Sequence, residues 1–435
     1  MIVDRQVEQV ARASYGRLLA LLAAPTGDIP LAEDALADAF EQALRSWPDS
    51  GVPTNPEGWL LTVARNRIRD VFRSASQRTS TPLGDLDPAV FDNIDLDAIP
   101  DKRLELMFVC AHPAIDAGVR TPLMLQTVLG FEATQIATAF AMPASAMAQR
   151  LVRAKRRIRD ARIPFAVPTR HDMPARLPAV LEAVYGAYAI DWMLVSGETV
   201  RESLSAEALY LASTLAELLG DEAEAFGLAA LIALSLARAD ARVVDGRNVP
   251  LDEQDTSRWN AGLIAQGEAW LRRAHALGSI GRFQLEAAIQ SVHCARASHP
   301  VPSTGPLPER SPVPERSPVP ELVEGPDLIT LRKLYEALVS IAPSLGAQVS
   351  LSAVIGQVDG PGAGLSYLDS IGDPAIQRFQ PAWATRAHLL AAAGRHDDAA
   401  QAYVKAISLT TDPVLRSFLR EQAELVVDPP RNAVF

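Results

Sequence analysis

Seven basic residues and one acid fall between Arg150 and Arg162, and five basic residues and one acid between Trp59 and Arg78. Guanidinium groups at such density do one kind of chemistry well: they neutralise phosphates and reach acceptor pairs on base edges. In the later stretch, FEATQIATAF, AMPAS and AMAQRLVRAKRRIRDAR read as helix, turn and helix. Met147, Leu151, Ala154 and Ile158 recur at i, i+4, i+7 and i+11, which predicts packing on the first helix through Ile136, Ala137 and Phe140. The opposite face then turns Gln149, Arg153 and Arg156 outward, with Ser145, Ala148 and Arg150 beside them. A recognition helix entering the major groove presents side chains of this kind to the bases. An ordinary helix pair with a solvated basic face is the competing explanation.

The earlier basic stretch begins after a Pro/Gly-rich turn, where Asn55 can cap a helix that has Pro56 in its first turn. Leu60, Ala64, Ile68 and Phe72 form its predicted buried stripe, and Arg65, Arg69 and Arg73 its solvent side. Ahead of it, Pro30 to Trp47 predicts a helix with Leu36, Phe40, Ala43 and Trp47 inward and Glu33, Asp34, Asp38 and Glu41 outward. Like charge repels phosphate, so this acidic face suits a basic protein partner or plain solvent, not DNA.

Enzyme chemistry finds no footing. Glu57, Glu132, His112 and Cys110 lie in no HExxH, GxSxG, Walker loop or paired-carboxylate arrangement, so structural roles are expected for each. No catalytic, metal or cofactor site is predicted. GPGAG at Gly360 to Gly364 reads as a turn between helices, and Arg258–Trp259 as a packed tryptophan with a local ion pair.

The elements that must position these residues are almost wholly helical, since Ala and Leu abound and apolar residues recur at three and four. A length of 435 residues allows about two to four domains. The formal charge of −11 is unevenly spread: residues 1–165 carry 19 Lys+Arg against 20 Asp+Glu, so the acidity belongs mainly to the rest. Thr79 to Asp101 holds six acids and no base and reads as a flexible linker between domains.

From Pro168 the chain is again helical and acidic, until nine prolines in the 27 residues 300–326 predict an extended insert. Beyond it Gly394, Ala399, Tyr403, Ala406 and Pro413 follow a tetratricopeptide-like pattern. Gly364 and Leu368 stand 35 residues before Ala399 and Tyr403, as an earlier copy would. The expected organisation is all-α: 1–78, linker 79–101, 102–165 with the helix-turn-helix, 166–299, insert 300–326 and repeats 327–435. Two cysteines outside any metal or disulfide spacing point to reducing cytosol. The N-terminus lacks a signal-peptide pattern, and no apolar run is long enough to anchor the chain in a membrane.

LAEDALADAFEQALRSWP, NPEGWLLTVARNRIRDVFR and the basic helix-turn-helix ending QRLVRAKRRIR resemble the extracytoplasmic-function sigma factors. LMFVCAHPAI, DEQDTSRWNAGLIAQG, FQLEAAIQSVHCA and DGPGAGLSYLD extend the likeness to the subgroup with a C-terminal helical-repeat extension. That resemblance implies a protein that binds core RNA polymerase and starts promoter-specific transcription. It places Glu33, Asp34, Asp38 and Phe40 on the clamp helices of the polymerase largest subunit, with Ala37 where the family usually has Gln. It gives Trp59, Arg65, Asn66, Arg69 and Arg73 to the minus-ten element, and Ser145, Ala148, Gln149, Arg150 and Arg153, with Arg156 beside them, to the minus-thirty-five element. It further implies cytoplasmic action, control by the extension itself and a small YCII-like protein as partner. The residues by themselves leave two other functions open: a helix-turn-helix regulator with a ligand-sensing helical domain, and a helical-repeat scaffold.

Overall fold

The computed structural model describes residues 2–78, 99–140, 142–193, 201–295 and 327–427. Most of the expected acidic linker (79–98) and all of the Pro-rich insert lie outside them. The described residues are helical apart from one two-stranded hairpin and short 3-10 turns. They form two compact units, Met1–Asp191 with Val200–Leu215, and Trp192–Thr199 with Ala216–Phe435.

The first unit opens with α1 (Ile2–Thr26), α2 (Ile29–Ser50) and α3 (Pro56–Arg78), packed on one another. Gly27, at φ 65°, turns the chain out of α1. Asp28 then caps α2, its Oδ1 accepting the Leu31 N–H at 3.1 Å. Asn55 begins α3 in the same way, accepting from Gly58 at 2.9 Å, as the sequence predicts. Leu18, Leu19 and Leu22 of α1, Leu36, Ala43 and Trp47 of α2 and Leu60, Ala64 and Ile68 of α3 are all buried where these helices pack. Phe40 and Phe72, expected inside, are half-buried.

Helices α4 (Ile99–Cys110), α5 (Ala117–Thr127), α6 (Ala133–Ala139) and α7 (Ala144–Asp160) follow, with α6 and α7 forming the helix-turn-helix. They do not stand apart from the first three: α4 packs on α1, and α7 on α2. At Gly16 of α1 the approach is so close that a methyl group would fall on the Val128 carbonyl. The unit also runs past the expected boundary at 165, taking in most of α8 (Leu177–Met193) and most of α9 (Arg201–Leu219). Arg103 of α4, 8% exposed, pairs there with Glu207 of α9 and lies 5.5 Å from the Tyr210 ring.

In the second unit α10 (Ala223–Leu236), buried on nearly every face, packs against α12 (Ala261–Ala276) and α13 (Arg282–Cys294). Glu224 of α10 accepts the Phe283 and Gln284 N–H groups at 2.9 and 3.1 Å, placing a carboxylate on the positive end of α13. Between α11 (Ala239–Arg242) and α12, β1 (Val243–Val244) pairs antiparallel with β2 (Arg247–Asn248). This hairpin departs from the all-α expectation, yet its signal is in the sequence: Asp245 and Gly246, at φ 51° and 74°, make the two-residue turn that favours Asp-Gly. Trp259 is buried and Arg258 exposed.

Helices α14 (Leu328–Ile341) and α15 (Leu345–Asp359) are followed by α16 (Pro361–Asp369), α17 (Gln380–Ala392), α18 (His396–Ser408) and α19 (Pro413–Val427), each packed on the next. Gly360, at φ 94°, makes the expected turn between α15 and α16. Ala399, Tyr403 and Ala406 of α18 are buried, as are Gly364 and Leu368 of α16.

Candidate nucleic-acid interface

Helix α7 presents two opposed faces. Met147, Leu151, Ala154 and Ile158 are buried with Ile136 and Ala137 of α6, as their spacing demands. Phe140 departs from that expectation: α6 ends at Ala139, so Phe140 sits on the cap and is 40% exposed. Ser145, Gln149, Arg153, Arg156 and Arg157 are exposed, and Ala148 and Arg150 half-buried between them. Arg150 leans on α5, its Nη2 donating to Asp116 Oδ1 at 3.1 Å. Arg153 and Arg157 line a shallow cleft with Arg150, floored by Ile115, Val119 and Ala154. Three guanidinium groups around an open cleft at the exposed edge of a helix-turn-helix make a field suited to a phosphate backbone. Ala148 can offer a groove only its methyl group, which suits a thymine methyl and no hydrogen-bonding edge.

Helix α3 is less simply ordered than its arginine stripe predicts. Asn66, Arg67 and Arg73 are exposed, whereas Arg65 and Arg69 are half-buried with their Nε atoms shielded from solvent. The reason is angular: each follows a buried residue, Ala64 or Ile68, by one position and so shares the edge of that stripe. Half-buried Trp59 lies edge-on to buried Trp47, ring centroids 5.4 Å apart at 64°.

The acidic face of α2 is largely engaged within the chain. Asp38 Oδ2 accepts from Arg67 Nε at 2.6 Å, tying the acidic helix to the basic one. Glu33 Oε1 accepts from Lys155 Nζ of α7 at 2.5 Å, with Lys155 8% and Glu33 21% exposed. Asp34 and Glu41 remain exposed, and Phe40 is half-buried beside them. Burial, with the nearby Glu33 carboxylate next in importance, pushes the Tyr15 phenol well above its ordinary value.

The residues set aside as structural have structural partners. Glu57 accepts from Ser14 Oγ at 2.5 Å and pairs with Arg17 at 3.3 Å. His112 Nδ1 accepts the Ala114 N–H at 3.0 Å, and the Glu132 N–H donates to Gln135 at 2.9 Å at the start of α6. Cys110 is wholly buried, 3.5 Å from the Thr127 hydroxyl. Among the described residues no cluster of His, Cys, Asp and Glu could hold a metal, and no helix is long and apolar enough to cross a membrane.

Comparison with known proteins bears on this geometry. The sigma-70 region 2 family matches residues 10–78, from within α1 to the end of α3. The probable extracytoplasmic-function RNA polymerase sigma factor SigI of Mycobacterium tuberculosis is 31% identical over 181 residues, 40% of this chain and 60% of SigI. The chain therefore carries a sigma-70 region 2 domain at its N-terminus and is homologous over 181 residues to an extracytoplasmic-function sigma factor.

Sigma factors of the sigma-70 superfamily are transcription initiation factors and not enzymes, in line with the absence of any catalytic motif. A family of unknown function matches residues 176–275, across α8 to most of α12. An uncharacterized protein of Rhizobium meliloti is 32% identical over 412 residues, 93% of this chain and 92% of its own length. The extension thus recurs in a relative of nearly full length. No solved structure matches this chain. Sequence reasoning missed Lys155, counted only among the basic residues of its helix. Its register held the signal: four after Leu151 and three before Ile158, it lies on the edge of the buried stripe.

Proposed function

We propose that this chain is a sigma factor that binds core RNA polymerase through α2, directs it to promoters through α3 and α7, and is controlled by its C-terminal helical domain. The observation that carries the proposal is the exposed row of Gln149, Arg153 and Arg156 on the second helix of a helix-turn-helix, within a chain whose residues 10–78 match sigma region 2. In this reading Ser145, Ala148, Gln149, Arg150, Arg153 and Arg156 face the minus-thirty-five element. Trp59, Arg65, Asn66, Arg69 and Arg73 serve the minus-ten element, and Glu33, Asp34, Asp38 and Phe40 the polymerase clamp helices. Chemistry stays with the polymerase, in the cytoplasm.

Residues 327–427 are read as tetratricopeptide-like. Supporting this, α15 with α16 and α17 with α18 form successive hairpins, and the small residues Gly364 and Ala399 are buried at corresponding places. Such repeats build surfaces for protein partners, which suits a control domain.

The experiment is reconstituted transcription with purified core enzyme, followed by start-site mapping. Promoter-specific starts that depend on the added chain are expected. DNA binding without such starts would identify a plain helix-turn-helix regulator instead.

A further inference from the structure

The contact between α2 and α7 sets two roles against each other. On the reading above, Glu33 meets the polymerase and α7 meets DNA, yet Glu33 is bonded to Lys155 of α7 at 2.5 Å. Five residues earlier, at the cap of α2, Asp28 faces Arg159 at 3.7 Å, one helical turn beyond Lys155. An amine 8% exposed against a carboxylate 21% exposed is no solvated surface pair, because desolvating both ions is repaid only while they stay together. A second close contact joins α1 to the end of α5, where Gly16 admits the Val128 carbonyl only because it has no side chain.

We propose that Lys155 and Arg159 form a latch that holds the helix-turn-helix against α2 and withholds Glu33 from the polymerase until the enzyme displaces it. The proposal rests on the assignment of Glu33 to the polymerase contact. Core enzyme and Lys155 then compete for one carboxylate, so apparent affinity for core falls by the fraction of chains that are open. A population closed ten to one would weaken binding about tenfold. The latch also explains why α7 carries one buried lysine among arginines that are exposed or half-buried. Its ammonium faces away from any DNA on the exposed side and has its partner in the polymerase-facing helix.

Two substitutions open the latch without touching the exposed DNA-facing side chains. Lys155→Met keeps the stem and removes the charge, leaving Glu33 without its cation. Gly16→Leu wedges α1 from the end of α5. In full-length protein, dyes on cysteines introduced by Ser50→Cys and Thr138→Cys, both exposed positions, report the separation of α2 and α6 by energy transfer. Binding to core RNA polymerase is measured alongside, with no DNA present.

Lower energy transfer and several-fold tighter core binding are expected for Lys155→Met, and the same direction for Gly16→Leu. Since Gly16→Leu can disturb folding, Lys155→Met decides. Restored transfer in the charge-swapped pair Glu33→Lys with Lys155→Glu would support the latch further. If wild type binds core and Lys155→Met leaves both transfer and affinity unchanged, the latch is wrong and the polymerase assignment stands. If no form of the chain binds core, the polymerase assignment fails and takes the latch with it.

Discussion

The indole of Trp59 meets that of Trp47 edge-on, 5.4 Å between ring centroids, so a residue assigned to promoter DNA also closes the core under α2 and α3. Trp59→Ala should therefore lower the stability of the first unit by about 2 kcal/mol, from lost area and the aromatic pair together. Trp59→Phe should keep most of that stability. Thermal unfolding followed by near-ultraviolet circular dichroism checks this. If Trp59→Phe melts normally but opens promoters poorly, the indole acts on DNA as well as on the fold.

Arg153 is exposed and forms one wall of the cationic cleft on α7. Arg153→Ala should weaken promoter use by about 1 to 3 kcal/mol if it reads a base pair, and less, uniformly across sequences, if it holds a phosphate. Transcription from a panel of single-base promoter variants separates the cases. Unchanged transcription on every template removes Arg153 from the interface.

At Gly364 an added Cβ would lie 2.7 Å from the Ser352 carbonyl and 2.9 Å from the Gly356 Cα. Those neighbours are backbone and cannot swing aside, so Gly364→Ala must push α16 off α15. A loss of about 1 to 3 kcal/mol is expected, of the size that overpacking costs. Chemical denaturation of the second unit measures it, and a neutral result would show that the two helices separate easily.

Burial pushes the Cys110 thiol up to about 12, outweighing the opposing pull of the Thr127 hydrogen bond and of Lys155. The neutral thiol is the form the fold favours. Its contribution is complete below the ordinary thiol value of about 8.5 and is lost as pH climbs towards the folded one. Cys110 should resist alkylation in the native protein at pH 8 and react on unfolding. Mass spectrometry after iodoacetamide treatment tests this, and fast native modification would contradict the burial.

Arg103 is paired with Glu207, beyond the boundary at 165 that the sequence suggests. A chain ending at 165 removes both the carboxylate partner of a nearly buried guanidinium and the Tyr210 ring beside it. It should be less stable than a chain ending at 219, which retains α9. Comparing their melting temperatures decides the matter, and equal values would show that Glu207 contributes nothing.

Much of this protein is written locally in its sequence. Met147, Leu151, Ala154 and Ile158 are buried because helical period and hydrophobicity act together over a few residues. Asn55 caps α3 because a short side chain can reach the amides of its own next turn. The same short-range logic exposes Gln149, Arg153 and Arg156, and the order of the motifs carries the sigma-factor resemblance. What tertiary structure decided are pairings across long stretches of chain: Lys155 with Glu33, Asp38 with Arg67 and Arg103 with Glu207. Periodicity says which face of a helix seeks burial but not which other helix will cover it. A charge at the edge of such a face becomes solvated or locked in an ion pair according to the element that arrives there.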